Sequence, residues 1–132
     1  MEDVAAHLAE TIRARPERLT TLAQRVPEAD YAPDELEQLL RGFEQMLLED
    51  LDGQGHTARD LYLETAIPAV VASGRTPAML ASGITRFGIL LSSDIAADLD
   101  RERRAEGIAW LADFFARFCS DVTETAVREA ST

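Results

Sequence analysis

Lysine and asparagine do not occur in this 132-residue chain, cysteine and tryptophan occur once each, and histidine occurs twice. Each scarcity narrows what the protein can be. With Cys119 alone no intrachain disulfide can form, and a reducing cytoplasm is the compartment that fits. All 13 basic residues are arginine, they face 24 Asp and Glu, and the formal net charge is −11. A chain this acidic repels phosphate backbones. The one basic cluster, "RERRAE" at 101–106, is diluted by Glu102 and Glu106, so nucleic-acid binding is not expected. Long apolar runs are missing too. The most apolar stretch, "AVVASGRTPAMLASGITRFGILLSS" at 69–93, is cut by Gly74, Arg75, Pro77, Gly83, Arg86 and Gly88. A spanning helix needs about 20 predominantly apolar residues, so no membrane segment is expected. The N-terminus places Glu2 and Asp3 ahead of any apolar run, which is the wrong order for a secretory signal.

What is present reads almost throughout with helical period. Val4, Leu8 and Ile12 mark a first helix over 4–14, after which Pro16 interrupts. Leu19, Leu22, Ala23 and Val26 mark a second, and the proline-flanked "VPEADYAPDE" is a connector. Leu36, Leu39, Leu40, Phe43, Leu47 and Leu51 form the stripe of a long helix from Pro33, ended by "DGQGH". Thr57 and Asp60 have the spacing of a capping box opening a helix to about residue 73, which Pro68 should kink. Gly74 suits the position after a helix end, and Thr76-Pro77 is a strong start signal for a helix over 77–99. Gly83 and Gly88 inside that helix imply close approach by a neighbouring helix or a ligand. The last helix carries Ile108, Leu111, Phe115, Phe118, Val122 and Thr125 at alternating three- and four-residue spacing, a heptad seam, with Trp110 and Phe114 widening its apolar face. The expectation is an all-α fold of five to six helices, globin-like or bundle-like, forming one domain over 1–132 with a long C-terminal heptad helix.

The residues that could carry chemistry form no recognisable site. His7 in "AAHLAE" lacks the surroundings of a phosphotransfer histidine, and His56 sits at a glycine-flanked loop, an awkward mount for a haem ligand. "EDLDGQGH" at 49–56 does not meet the calcium-loop pattern. Cys119, Ser73, Ser92 and Ser93 have no histidine close in sequence, and "SGRTPAMLASG" lacks the core of a phosphate loop. No enzyme activity, no metal and no cofactor are expected. The aromatic residues Tyr62, Phe87, Trp110 and Phe114 are candidates for a ligand pocket, against the simpler reading as core or subunit interface.

In "YLETAIPAVVASGRTPAMLASGITRFGILLSSDIAADLD" a helix ending at Gly74, the Thr76-Pro77 turn and a helix with Leu80, Arg86 and Leu90-Leu91 resemble the N-terminal regulatory domains of RsbR-type stressosome proteins. The final heptad helix resembles the exit helix that leads into the STAS domain of that family. The resemblance implies a globin-like, haem-free bacterial signalling module in the stress response, dimeric and coupled to a regulatory partner such as a STAS-domain or kinase protein. Dimerisation is expected through Ile108, Leu111, Phe115, Phe118 and Val122 of the heptad helix with help from the hairpin at 67–95, and with Arg86 and the acidic faces setting orientation. The alternative is a sensor that binds a small ligand or haem in the aromatic pocket.

Overall fold

A computed structural model describes residues 3–131 and is all-helical over them. Glu2 and Thr132, at the two ends of the sequence reading, lie outside the described residues. The helices are α1 (Val4–Ala14), α2 (Arg18–Ala23), α3 (Pro33–Leu51), α4 (Thr57–Leu61), α5 (Ile67–Ala72), α6 (Pro77–Asp98) and α7 (Arg104–Ala130). A single π turn, Tyr62–Ala66, joins α4 to α5, and a 3-10 turn, Arg101–Arg103, leads into α7. Counting α4, the π turn and α5 as one irregular helix gives six among the described residues.

Local chemistry sets most of the boundaries. Asp3 caps α1, its carboxylate accepting from the Ala5 amide at 3.1 Å. The Thr76 hydroxyl accepts from the Met79 amide at 3.1 Å, and Pro77 supplies the first helical position of α6. Gly74 closes α5 with φ of +103°, a conformation that residues with a side chain rarely adopt. The capping box expected from Thr57 and Asp60 does not form. The start of α4 is held from a distance instead: the Glu49 carboxylate, on α3, accepts from the Ala58 amide at 3.0 Å. Pro68 does disturb its helix, by way of the turn before it. Proline has no N–H for the carbonyl four residues back and its ring crowds that carbonyl. The backbone widens there, and the Ile67 amide reaches the Tyr62 carbonyl five residues away.

One hydrophobic core takes residues from every long helix. α6 and α7 form the principal antiparallel pair, and α1 and α5 also pack on α7. The approach of α6 to α7 is close because Gly88 lies under Phe115, where an added Cβ would meet the ring at 2.9 Å. Gly83, also expected at a close contact, faces the Glu28 side chain of the α2–α3 connector, 3.1 Å from the place of its missing Cβ. At the end of α6, the Arg104 Nε donates to the Ala96 and Leu99 carbonyls at 3.0 and 3.2 Å, satisfying helix-terminal groups that would otherwise lack partners. Arg18, almost fully buried, clamps α2 to α6 through Asp94 at 2.8 Å and Asp98 at 2.6 Å.

Two stability predictions follow from these contacts. Phe114 is fully buried, so Phe114→Ala should destabilise the chain by about 3–5 kcal/mol, measured by urea unfolding. A hydrogen bond from Arg18, opposed in part by desolvation and helped by one from Arg15, holds the Asp98 carboxyl below its ordinary value of 3.8. The folded chain therefore binds fewer protons there than the unfolded one, and this stabilisation is complete above 3.8 and lost as pH falls through the depressed value. Asp98→Asn should lower the neutral-pH Tm and flatten the acid limb of a Tm-against-pH curve; an unchanged acid limb would mean that other carboxylates control it.

Candidate functional site: a helix-pair face and an aromatic cavity

Two surfaces stand out once the helices are placed, and α7 contributes to both. The first is the outer face of the α6–α7 pair. From α6 it takes Thr85, Gly88, Ile89, Ser92, Ser93 and Ala96; from α7 it takes Ile108, Ala112, Phe115, Ala116 and Cys119, then Ser120, Thr123 and Glu124. The numbering recurs at three and four, which puts each set on one side of its helix. Of these 14 residues only Glu124 is charged, in a chain whose charged fraction is 28%. Ile89 is 67% exposed and Ile108 44%, two large apolar side chains in water beside a shallow furrow of small residues. The Cys119 thiol, half-buried, points to the Ala81 carbonyl at 3.8 Å.

The second is a cavity of about 110 Å³ on the other side of the aromatic core. Aliphatic walls come from Val70 on α5 and from Leu80 and Ile84 on α6, and aromatic walls from Tyr31, Phe43, Tyr62, Phe87 and Phe118. The connector between α2 and α3 closes one end and is held there by Arg75. Its guanidinium lies over the Tyr31 ring, 4.1 Å from the centroid, and donates to the Glu28 carbonyl at 3.5 Å and to the Asp30 carbonyl. The Glu28 carboxylate accepts from the Ser82 hydroxyl and from the Arg86 Nε at 3.1 Å. The Ser82 bond foremost, with Arg86 adding to it, holds Glu28 below the usual carboxylate range. Burial, with the neighbouring Tyr31 adding to it, pushes the Tyr62 phenol well above its ordinary range. Gly42 on α3 leaves room for that ring, since a Cβ there would stand 3.0 Å from it.

The residues singled out from sequence divide between these places. Of the five read as a dimer seam, Leu111, Phe118 and Val122 are buried in the chain's own core, because α1, α5 and α6 cover that stripe. Phe115 is buried but borders the outer furrow, and Ile108 stands exposed. Of the four read as a pocket, Tyr62 and Phe87 line the cavity. Trp110 and Phe114 do not: they stack on each other at 5.6 Å, and Phe114 stacks in turn on Phe118 at 6.0 Å. Arg86, expected to orient a partner, is engaged with Glu28 of its own chain. His56 lies 3.9 Å from Asp50, apart from both surfaces, and neither histidine lines the cavity. Among the described residues, no group of three or more His, Cys, Asp or Glu is arranged to hold a metal ion, and no helix is long and apolar enough to cross a membrane. The connector residues Glu28 and Tyr31 and their clamp Arg75 escaped the sequence reading. The available signal was a tyrosine set between Pro27 and Pro33, an aromatic residue in a segment that otherwise reads as plain loop.

Comparison with protein-family models, curated proteins and solved structures finds no match to this chain.

Proposed function

We propose that this chain is a non-enzymatic bacterial regulatory domain that works as a homodimer in the cytoplasm. In keeping with its resemblance to RsbR N-terminal regions, it passes a signal to a partner protein, such as a STAS-domain or kinase protein, or to a downstream domain. The observation that carries this reading is the uncharged α6–α7 face. Two copies that each carry −11 repel one another over most of their surfaces. They meet at least electrostatic cost where charge is missing, and on this face one residue of 14 is charged. The face also holds both halves of a self-complementary contact: the side chains of Ile89 and Ile108 project, and the furrow lined by Ser92, Ala112 and Ala116 is shallow enough to receive them. A twofold axis places each projection of one copy over the furrow of the other. Two α6–α7 pairs joined in this way make a four-helix layer, with Glu124 near its edge.

A second reading, a small-molecule sensor, is favoured by the cavity. Haem is the less favoured occupant, since neither His7 nor His56 lines it and about 110 Å³ is far short of a macrocycle.

The dimer is tested at residues that the core does not use. Native mass spectrometry at micromolar concentration should give twice the chain mass of 14.5 kDa. Ile89→Glu with Ile108→Glu should give the single mass with an unchanged helical circular-dichroism spectrum, since like charges placed across a twofold axis cost several kcal/mol. A native sequence that stays monomeric, or a doubly substituted chain that still dimerises, would sink the proposal. Charges at Phe115 and Phe118 are a poorer test, because those side chains are buried and their loss unfolds the core.

A further inference from the structure

The connector between α2 and α3 covers apolar surface without being built into it. Both of its ends are anchored: Arg18 fixes α2 to α6, Val26 is buried, and Pro33 begins α3. Between these anchors residues 27–31 make only local backbone bonds. The Ala29 amide donates to the Val26 carbonyl and the Tyr31 amide to the Ala29 carbonyl, both at 3.0 Å. Among the described residues no backbone hydrogen bond joins this segment to a helix. A segment tied so lightly opens at far lower cost than the helices around it.

What holds the segment down is a set of side chains from one hairpin, α5–α6. Arg75, in the turn, lies over the Tyr31 ring and donates to the Glu28 carbonyl at 3.5 Å and to the Asp30 carbonyl. Ser82 and Arg86, one turn apart on α6, donate to the Glu28 carboxylate, Arg86 at 3.1 Å. Gly83 between them carries no side chain, and a Cβ there would stand 3.1 Å from the Glu28 Cβ, so the segment lies flat on α6. The Arg86 side chain is 55% exposed, and water competes for its contact. Beneath lies the cavity, open to solvent on one side. Ala29 and Tyr31 belong to its lining but leave about 110 Å³ beside them unfilled. Apolar packing therefore adds little to the latch.

We infer that residues 27–31 form a latched strap over this cavity. With Arg75, Ser82 and Arg86 engaged, the strap narrows the mouth; on their release it lifts while α2 and α3 stay in place. Lifting withdraws Ala29 and Tyr31 from the lining and widens the mouth onto Leu80, Ile84 and Phe87. Access to the apolar interior is thus controlled by surface polar contacts, without the unfolding of a helix.

Leu80 is 8% exposed and lines the cavity, so a thiol placed there reports the opening. In the full chain carrying Cys119→Ser and Leu80→Cys, the rate of reaction with N-ethylmaleimide is measured over a urea series below the unfolding transition. Lifting the strap exposes little surface, so the rate should be nearly independent of urea and faster than global unfolding permits. Arg75→Met and Glu28→Ala each remove part of the latch, and each should raise the rate roughly 5- to 10-fold, the effect of one lost hydrogen-bonded contact. Ile12→Val weakens the core at α1, away from the strap, and should leave the rate unchanged. A rate that climbs with urea along the global unfolding curve overturns the strap. So does a rate that responds to Ile12→Val as it does to the latch variants, or that responds to neither latch variant. Where a latch variant fails to fold, the urea dependence with the latch intact decides.

Discussion

The Phe43 ring lies against the rings of Phe87, Phe114, Phe115 and Phe118, with centroids 5.4 to 6.0 Å away. Those five are all the phenylalanines the chain has. α3 contributes one, α6 one and α7 three, so a single ring cluster ties the three longest helices together. Edge-to-face pairs dominate around Phe43 and Phe87, and stacked pairs run from Trp110 through Phe114 to Phe118. Such pairs contribute about 0.5–1.5 kcal/mol each beyond the area they bury. The closeness of α6 to α7 depends on the same cluster, since Phe115 reaches Phe43 only by passing over Gly88.

Around this apolar centre the helices are fastened by arginine, and the total lack of lysine has a structural counterpart. Arg18 uses two nitrogens of one guanidinium to hold two different aspartates of α6. A lysine ammonium offers no planar fork of that kind. Arg59 donates to Asp121 on α7 at 2.6 Å while its guanidinium lies 5.6 Å from the centre of the Phe114 ring, an ion pair and a ring contact from one side chain. Arg75 combines a ring face with backbone carbonyls in the same manner. Each of these links joins segments distant in sequence. Their buried nitrogens are not all satisfied: the Arg18 Nε and the Arg59 Nε and Nη2 find no partner among the described residues, so these clamps fix geometry more than they add stability.

How far the sequence could be read follows from the range of each interaction. The limits of α1 and α3, the cap at Thr76, the proline at the start of α6 and the left-handed Gly74 are all decided within four residues, and they were legible. The cap on α4 was not, because its acceptor, Glu49, belongs to the preceding helix. Periodicity in α7 marked a stripe that is buried apart from exposed Ile108, but it was silent on what covers it. Leu111, Phe118 and Val122 have the spacing of a coiled-coil seam, and an internal core asks for the same spacing. The outer face was invisible for the complementary reason. A surface of Gly, Ser, Ala and Thr gives almost no hydrophobic signal, and it becomes a feature only when α6 and α7 are laid side by side and charge is found to be missing. The cavity needed still more, since its walls come from the α2–α3 connector and from α2, α3, the π turn, α5, α6 and α7, brought together by tertiary contacts.

The two surfaces are separated by little more than one layer of rings. Phe43, Phe87 and Phe118 line the cavity, Phe115 borders the outer furrow, and Phe115 touches Phe43 at 5.8 Å and Phe87 at 6.3 Å. Close-packed rings do not deform continuously, so a change in the position of Phe43 or Phe87 is met by a repositioning of Phe115 or not at all. The wall is therefore a place where an occupant of the cavity would act on the α6–α7 face. Its influence is bounded by how differently it binds the two arrangements of those rings. By linkage, whatever covers the face acts on the cavity to the same degree, and a substitution in the wall alters both directions together. Gly88 is the position where that coupling is most exposed. It determines how close Phe115 lies to α6 and touches both the core and the furrow, and no larger residue fits there without moving the ring.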